Sequence, residues 1–289
     1  MSSFILSTEA ACDLSPEILN GHGIRCLSMK YFINNEEFDS ADPTHTPRNL
    51  CELMRKGAST KTSQPNKFEI EDYLKNLLKD GKDILHICFS SALSGTCASF
   101  KDVANEINKS SSNKIYIVDS FCASFGVGYI LMLIAEKMQS ESFSIDQAIA
   151  FVNDIIPKFV HYFVVDDLKY LARGGRVSNS TAFIGNLINL KPVLHVNDNG
   201  EIVLLQKTIG RKKSLMNLVD KFKTYHNAEY KKLIIGHADC VDDAKFVEAK
   251  LHEEFPDTEI IIDELGPIIA SHSGPGTIAL FFVSTSRQI

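Results

Sequence analysis

The order of elements in these 289 residues predicts an α/β chain in two parts. The N-terminal α/β domain spans 1–157, with a mostly parallel sheet covered by helices, and a C-terminal α+β domain spans 158–289. Three observations predict this. Up to about residue 140 the pattern strand, polar turn, helix occurs three times with one hairpin inserted, an alternation that builds a parallel sheet. Beyond Pro157 hairpins mix with helices. The length also exceeds what one hydrophobic core ordinarily holds.

Phe4-Ile5-Leu6-Ser7-Thr8 reads as a first strand, ending in a polar turn from Glu9 to Asp13. Ser15-Pro16-Glu17 starts a short helix, with serine as N-cap and proline at the first helical position. Ile24 to Phe38 is expected as a hairpin turning at Asn34-Asn35, because asparagine tolerates positive φ. Thr46-Pro47 opens a helix through Leu50, Leu53 and Met54 that stops at Gly57. The polar segment Thr62-Ser63-Gln64-Pro65 follows, and Phe68 to Leu78 is an amphipathic helix closed by Gly81. Ile84 to Phe89 is a continuous apolar run, the composition of a strand buried on both faces. It breaks into Ser90-Ser91-Ala92-Leu93-Ser94-Gly95-Thr96, then a helical pattern from Ala98 to Ile107. Lys114 to Asp119 is a further strand, and a long apolar helix runs from about Phe121 to Met138.

Ser144 to Pro157 is a helix leading into the second part. Tyr162 to Val165 is a strand and Asp166 to Leu171 a short helix. The polar turn Ala172 to Ser178 follows, and then a helix carrying Phe183, Ile184, Leu187, Ile188 and Leu190. Pro192 to Ile209 is a hairpin around Asp198-Asn199-Gly200, whose Asn-Gly pair is a strong turn signal. Helices over Leu215–Tyr225 and Ala244–Phe255 alternate with strands over Leu233–His237 and Glu259–Ile262. The glycine-rich run Gly266 to Gly276 and a last strand, Ile278 to Val283, close the chain.

Ligands of parallel sheets sit outside the carboxyl ends of the strands, here the turns near Glu9, Ser94 and Ser120. A strand feeding a Ser/Gly/Thr turn into a helix N-terminus makes an anion site from N–H groups, hydroxyls and the helix dipole. The same stretch would also serve as an ordinary βα turn with a serine N-cap. The polar inventory in such turns is Thr62, Ser63, Ser94, Gly95 and His272, with Arg173 and Arg176 flanking Gly174-Gly175. Neutral donors with one cation suit a single carboxylate better than a polyphosphate.

Other chemistries are set aside by composition and spacing. The chain is 44% hydrophobic and 23% charged, as ordinary globular proteins are. Its net charge of −6 disfavours a nucleic-acid partner, whose phosphates would need neutralising. No basic stretch precedes an apolar run at the N-terminus, and no run reaches the ~18–20 apolar residues of a membrane span. The seven cysteines are scattered without a C-x-x-C pair, which fits reduced thiols in the cytoplasm and implies neither a disulfide framework nor a metal. There is no G-x-S-x-G elbow, no phosphate-binding P-loop and no dinucleotide fingerprint, so no cofactor is implied. A Ser94–His272 nucleophile–base pair stays open, with a serine-dependent acyl hydrolase or transferase as the alternative function.

Taken together, the motifs resemble the DegV family, bacterial fatty-acid-binding proteins that act as carriers for fatty acid kinase. The resemblance rests on Thr8 to Leu14 (TEAACDL), Thr62 to Pro65 (TSQP), Ser90 to Thr96 (SSALSGT) and Val118 to Ser120. It continues through Val165 to Ser178 (VDDLKYLARGGRVS), Lys191-Pro192, Arg211 to Lys213 and Gly266 to Gly276 (GPIIASHSGPG), and so covers essentially the whole chain. It implies a lipid carrier, not an enzyme, with a long-chain fatty acid such as palmitate held between the two domains. Thr62 and Ser94 would hydrogen-bond the carboxylate, with Ser63, Gly95, Thr96, Arg176 and His272 completing the site. The acyl chain would enter an apolar tunnel, for which Phe183, Ile184, Leu187 and Ile188 are candidates. A fatty acid kinase would phosphorylate the bound acid. Two departures stand out. The family's Thr-Asp-Ser motif is here Thr8-Glu9-Ala10, one hydroxyl fewer. An arginine expected two residues after Lys207 is replaced by Ile209, with Arg211 following, a change that bears on phosphotransfer more than on lipid binding.

Overall fold

The computed structural model describes residues 4–177 and 190–287. The chain begins with β1 (Phe4–Glu9), α1 (Pro16–His22), β2 (Arg25–Leu27), β3 (Lys30–Ile33), β4 (Glu36–Asp39), α2 (Pro47–Arg55), β5 (Thr60–Ser63) and α3 (Lys67–Leu78). It continues through β6 (Asp83–Cys88), α4 (Thr96–Asn108), β7 (Ile115–Asp119), α5 (Phe125–Ser140) and α6 (Ile145–Ile155). Strands β2-β1-β6-β7 form a sheet whose pairs are all parallel, as the buried runs of β1 and β6 predict.

Three details depart from expectation, each for a local reason. Arg25–Leu27 leaves the expected hairpin to pair in parallel with β1, so the hairpin is only β3–β4, turning on Asn34 and Asn35 at φ 50° and 71°. Thr60–Ser63 is not a turn. It is β5, the third strand of a small antiparallel sheet, with Thr62 opposite Tyr31. The helix expected from Phe121 begins at Phe125 instead, because Phe121 and Ser124 have φ of 49° and 57°, outside the right-handed helical region.

The second part contains β8 (Phe159–Val164), α7 (Lys169–Arg173), β9 (Val193–Val196), β10 (Ile202–Gln206), α8 (Arg211–Tyr225), β11 (Lys232–His237), α9 (Val241–His252), β12 (Glu259–Glu264), α10 (Pro267–Ser273) and β13 (Ile278–Val283). Its six-stranded mixed sheet has the order β10-β9-β8-β13-β11-β12. Only β11–β12 is parallel. The hairpin at Asp198-Asn199-Gly200 forms as expected, with Gly200 at φ 77°. Helix α10 is an addition to the sequence reading. Pro267 starts it at a position where a missing N–H costs nothing, and Gly274 at φ 83° ends it. The helix expected around Phe183 to Ile188, and with it the four tunnel candidates, lies outside the described residues.

Alternation along β8 explains the layering. Val160, Tyr162 and Val164 face a core shared with α8 and α9. Phe159 and Phe163 face the opposite way, into a core they share with α5 and with Leu6 and Leu85 of the parallel sheet. Helix α5 is buried along most of its length, as an apolar helix between two sheets should be. No helix among the described residues is long and apolar enough to cross a membrane.

Candidate functional site

The carboxyl ends of β1 and β6, strand β5, helix α10 and the inner face of the mixed sheet enclose a cavity of about 320 Å³. That volume is at the lower end of the roughly 300–1,000 Å³ typical of ligand pockets. Thr62, Ser94, Gly95, Thr96, Arg176 and His272 all line it. Ser63 does not. As the neighbour of Thr62 on a strand it points to the other face, and its hydroxyl donates to Gln64 O at 3.2 Å. Arg173 is exposed and does not line the cavity.

A chain of contacts gathers the polar residues into one cluster. Thr60 Oγ1 donates to Ser271 O at 2.8 Å, tying β5 to α10. Two residues on, Thr62 Oγ1 lies 2.7 Å from His272 Nε2. Burial and then the Arg176 charge push the His272 imidazole down to about 4, so it is uncharged at neutral pH and can serve as a donor. Ser94 Oγ is 2.8 Å from Thr96 Oγ1 and accepts the Thr96 N–H at 3.3 Å, at the N-terminal turn of α4. Arg176 Nε donates to Leu93 O at 3.1 Å and its Nη1 to Gly174 O. Burial lowers its pKa, and a guanidinium in a protein keeps its charge at neutral pH.

The adjacent glycines have separate reasons. Gly175 sits at φ 69°, where a side chain would be strained. A Cβ on Gly174 would come within 2.4 Å of His272 Nδ1, so this turn presses directly on the histidine. Ser94 and His272 are engaged with different partners, Thr96 and Thr62, and no nucleophile–base bond joins them.

Several lining residues were not visible in the sequence. Phe163, Val196, Ala279 and Phe281 form the wall contributed by the mixed sheet, with Leu265 just before α10 and Ile268 in its first turn. Glu9 also lines the cavity and is 1% exposed. Its Oε1 accepts the Phe89 N–H at 2.7 Å, and its Oε2 lies 3.0 Å from His86 Nε2. His86 Nδ1 is 2.9 Å from Ser7 Oγ, and its ring stacks on Phe100 with centroids 3.9 Å apart. Within Thr8-Glu9-Ala10, Glu9 therefore has its partners inside this chain, and the hydroxyl missing at Ala10 is not replaced by them. Glu9, His86 and Cys88 could offer a metal three donor atoms within 4.8 Å of one another. Both Glu9 oxygens and both His86 nitrogens are, however, already bonded to protein groups.

Arg211 lies away from the cavity lining. Its Nε and Nη2 donate to Asp243 Oδ2 at 2.9 and 2.7 Å, and Nη2 also reaches Gly276 O at 2.6 Å. It therefore ties α8 to α9, while Ile209, at the position where an arginine was expected, is 66% exposed.

Comparison with known proteins agrees with this architecture from end to end. The profile of the DegV family, described as an uncharacterised protein family, matches residues 3–285. A DegV domain-containing protein of Clostridium perfringens is 37% identical over 291 residues, covering all of both chains. Among solved structures, a fatty acid binding DegV family protein from Thermus thermophilus superposes with a TM-score of 0.88 at 27% identity, covering 98% of this chain and 100% of its own. A fatty acid binding DegV family protein from Streptococcus agalactiae gives a TM-score of 0.87 at 26% identity, covering 99% of this chain and 100% of its own.

Proposed function

The chain belongs to the DegV family, and on that premise we propose that its cavity holds one long-chain fatty acid and presents the carboxyl group to a fatty acid kinase. The observation that carries the proposal is the division of a single cavity. Thr62, Ser94, Thr96, Arg176 and His272 contribute a polar cluster to it, and Phe163, Val196, Ala279 and Phe281 an apolar wall. Hydroxyl donors, a neutral imidazole and one guanidinium can satisfy a carboxylate out of water. Burying roughly fifteen methylenes at about 0.8 kcal/mol each supplies on the order of 12 kcal/mol before entropy costs. The apolar wall thus supplies affinity and the polar cluster sets orientation. In this account the protein is a carrier, with 1–157 and 158–289 as its two domains and the acid between them.

Titration with palmitate tests it. Ser94→Ala and Thr62→Ala each remove a donor to a buried carboxylate and should weaken binding by about 1.5–3 kcal/mol, or roughly 10- to 150-fold. Unchanged affinity in both variants would take these residues out of the site. Turnover of a chromogenic acyl ester, abolished by Ser94→Ala, would replace the carrier with a hydrolase.

Arg176 separates holding the acid from handing it on. Its guanidinium is fixed by two backbone carbonyls and could neutralise charge developing during phosphoryl transfer. Arg176→Ala should weaken palmitate binding only modestly and reduce acyl-phosphate formation by a cognate kinase more than tenfold. The assay is transfer from ATP with trace kinase and lipid-saturated carrier. Wild-type rates in the variant would place Arg176 outside the transfer step.

A further inference from the structure

We infer that Gln64 is a further carboxyl-binding residue, which closes the mouth of the cavity over the bound acid from the solvent side. The inference rests on the fatty-acid reading and adds to its polar site a residue outside the hydroxyl cluster. Among the described residues that line the cavity, Gln64 and Gly95 alone are exposed. A residue that faces both a cavity and the solvent stands at the opening. Among the described residues the opening therefore lies beside Ser94 and Thr96, the chain neighbours of Gly95. An acid whose carboxylate meets those hydroxyls turns that group, and not its methyl end, toward the solvent.

Gln64 is seated there by a missing side chain. It directly follows β5, and Gly95 directly precedes α4, so contact between them joins the segments that carry Thr62 and Ser94. A Cβ on Gly95 would come within 2.5 Å of Gln64 Oε1, 3.5 Å of its Cδ and 3.7 Å of its Nε2. The whole amide group thus lies against the glycine. The backbone does not require glycine here, because φ is −70° and a side chain would meet no left-handed strain. What Gly95 provides is room for the amide.

That amide has bonding capacity to spare. The Ser63 hydroxyl donates to the main-chain carbonyl of Gln64 at 3.2 Å, and no described residue bonds its side chain. Two N–H donors are therefore unused. A carboxylate offers about four acceptor sites, more than one hydroxyl each from Thr62 and Ser94 can fill. An amide at the mouth supplies another donor from the solvent side, where the buried groups do not reach. Bonds to a charged acceptor are roughly twice as strong as neutral ones, so the gain falls to a free acid more than to an uncharged head group.

The test compares palmitate with hexadecanol, which has the same chain and no charge, by displacement of a fluorescent fatty acid calibrated on each variant. In Gln64→Ala the ratio of palmitate to hexadecanol affinity should fall about two- to tenfold, the range of one hydrogen bond. Gln64→Glu, which sets a second carboxylate beside the first, should lower it at least tenfold. Gly95→Ala should act like Gln64→Ala, because its Cβ expels the amide. Added to Gln64→Ala, it should lower the ratio no further, because the Cβ then enters vacated space. Both positions are exposed, so these changes leave the buried core intact. An unchanged ratio in both Gln64 variants overturns the inference. So does a double variant in which Gly95→Ala keeps its full separate effect. Failure of the wild type to bind either palmitate or hexadecanol would instead overturn the fatty-acid reading, and the role of Gln64 with it.

Discussion

Glu9→Ala is expected to destabilise the protein by about 3 kcal/mol, the scale of breaking a buried bonded pair by removing one partner. The carboxylate is 1% exposed and serves two groups at once, the Phe89 N–H and His86 Nε2. Alanine leaves both unpaired where water is excluded, next to a stacked Phe100 ring that holds the imidazole in place. At roughly 2–4 °C per kcal/mol for chains somewhat shorter than this one, the loss should appear as a fall of several degrees in the melting temperature. Glu9→Gln keeps an oxygen for Phe89 and should lose clearly less. A melting temperature unchanged in Glu9→Ala would mean that the pair contributes nothing to the junction of β1 and β6.

The larger effect on binding is expected from Ala279→Phe. Ala279 stands on β13 opposite Phe163, on the face that forms the apolar wall, so a phenyl group there fills space the acyl chain needs. If about six methylenes can no longer be buried, the loss at about 0.8 kcal/mol each is on the order of 5 kcal/mol, or three to four powers of ten in palmitate affinity. The carboxyl cluster would be untouched, so a short acid such as octanoate should lose far less. That chain-length dependence separates a blocked tunnel from a damaged fold. Equal losses for both acids would indicate misfolding, and equal retention would mean that the acyl chain does not pass Ala279.

How much of this was legible in the sequence depended on whether the signal was local. The parallel sheet could be read from the unbroken apolar runs of β1 and β6, and the hairpin turns from Asn34-Asn35 and Asn199-Gly200. The polar cluster was visible because hydroxyls, glycines and a histidine gather where strands give way to helices. Ser63 was misplaced because the TSQP segment was taken for a turn. Once Thr60–Ser63 is a strand, a period of two puts Thr62 and Ser63 on opposite faces. The cavity wall could not be read at all. Strands β8 and β13 are buried on both faces, so no periodicity tells which face meets a ligand. The role of Glu9 could not be read because its partner His86 lies 77 residues away. Helix α10, only seven residues long, was hidden inside a run of glycines and prolines.

The central claim, that the cavity holds one fatty acid, is tested most directly by mass spectrometry of the purified protein, native and after solvent extraction. The account predicts a native mass exceeding that of the polypeptide by one long-chain fatty acid. The extract should yield that acid at about one per chain, and excess palmitate should replace it one for one. A native mass equal to the bare polypeptide, unchanged by added palmitate and with no fatty acid in the extract, would contradict it.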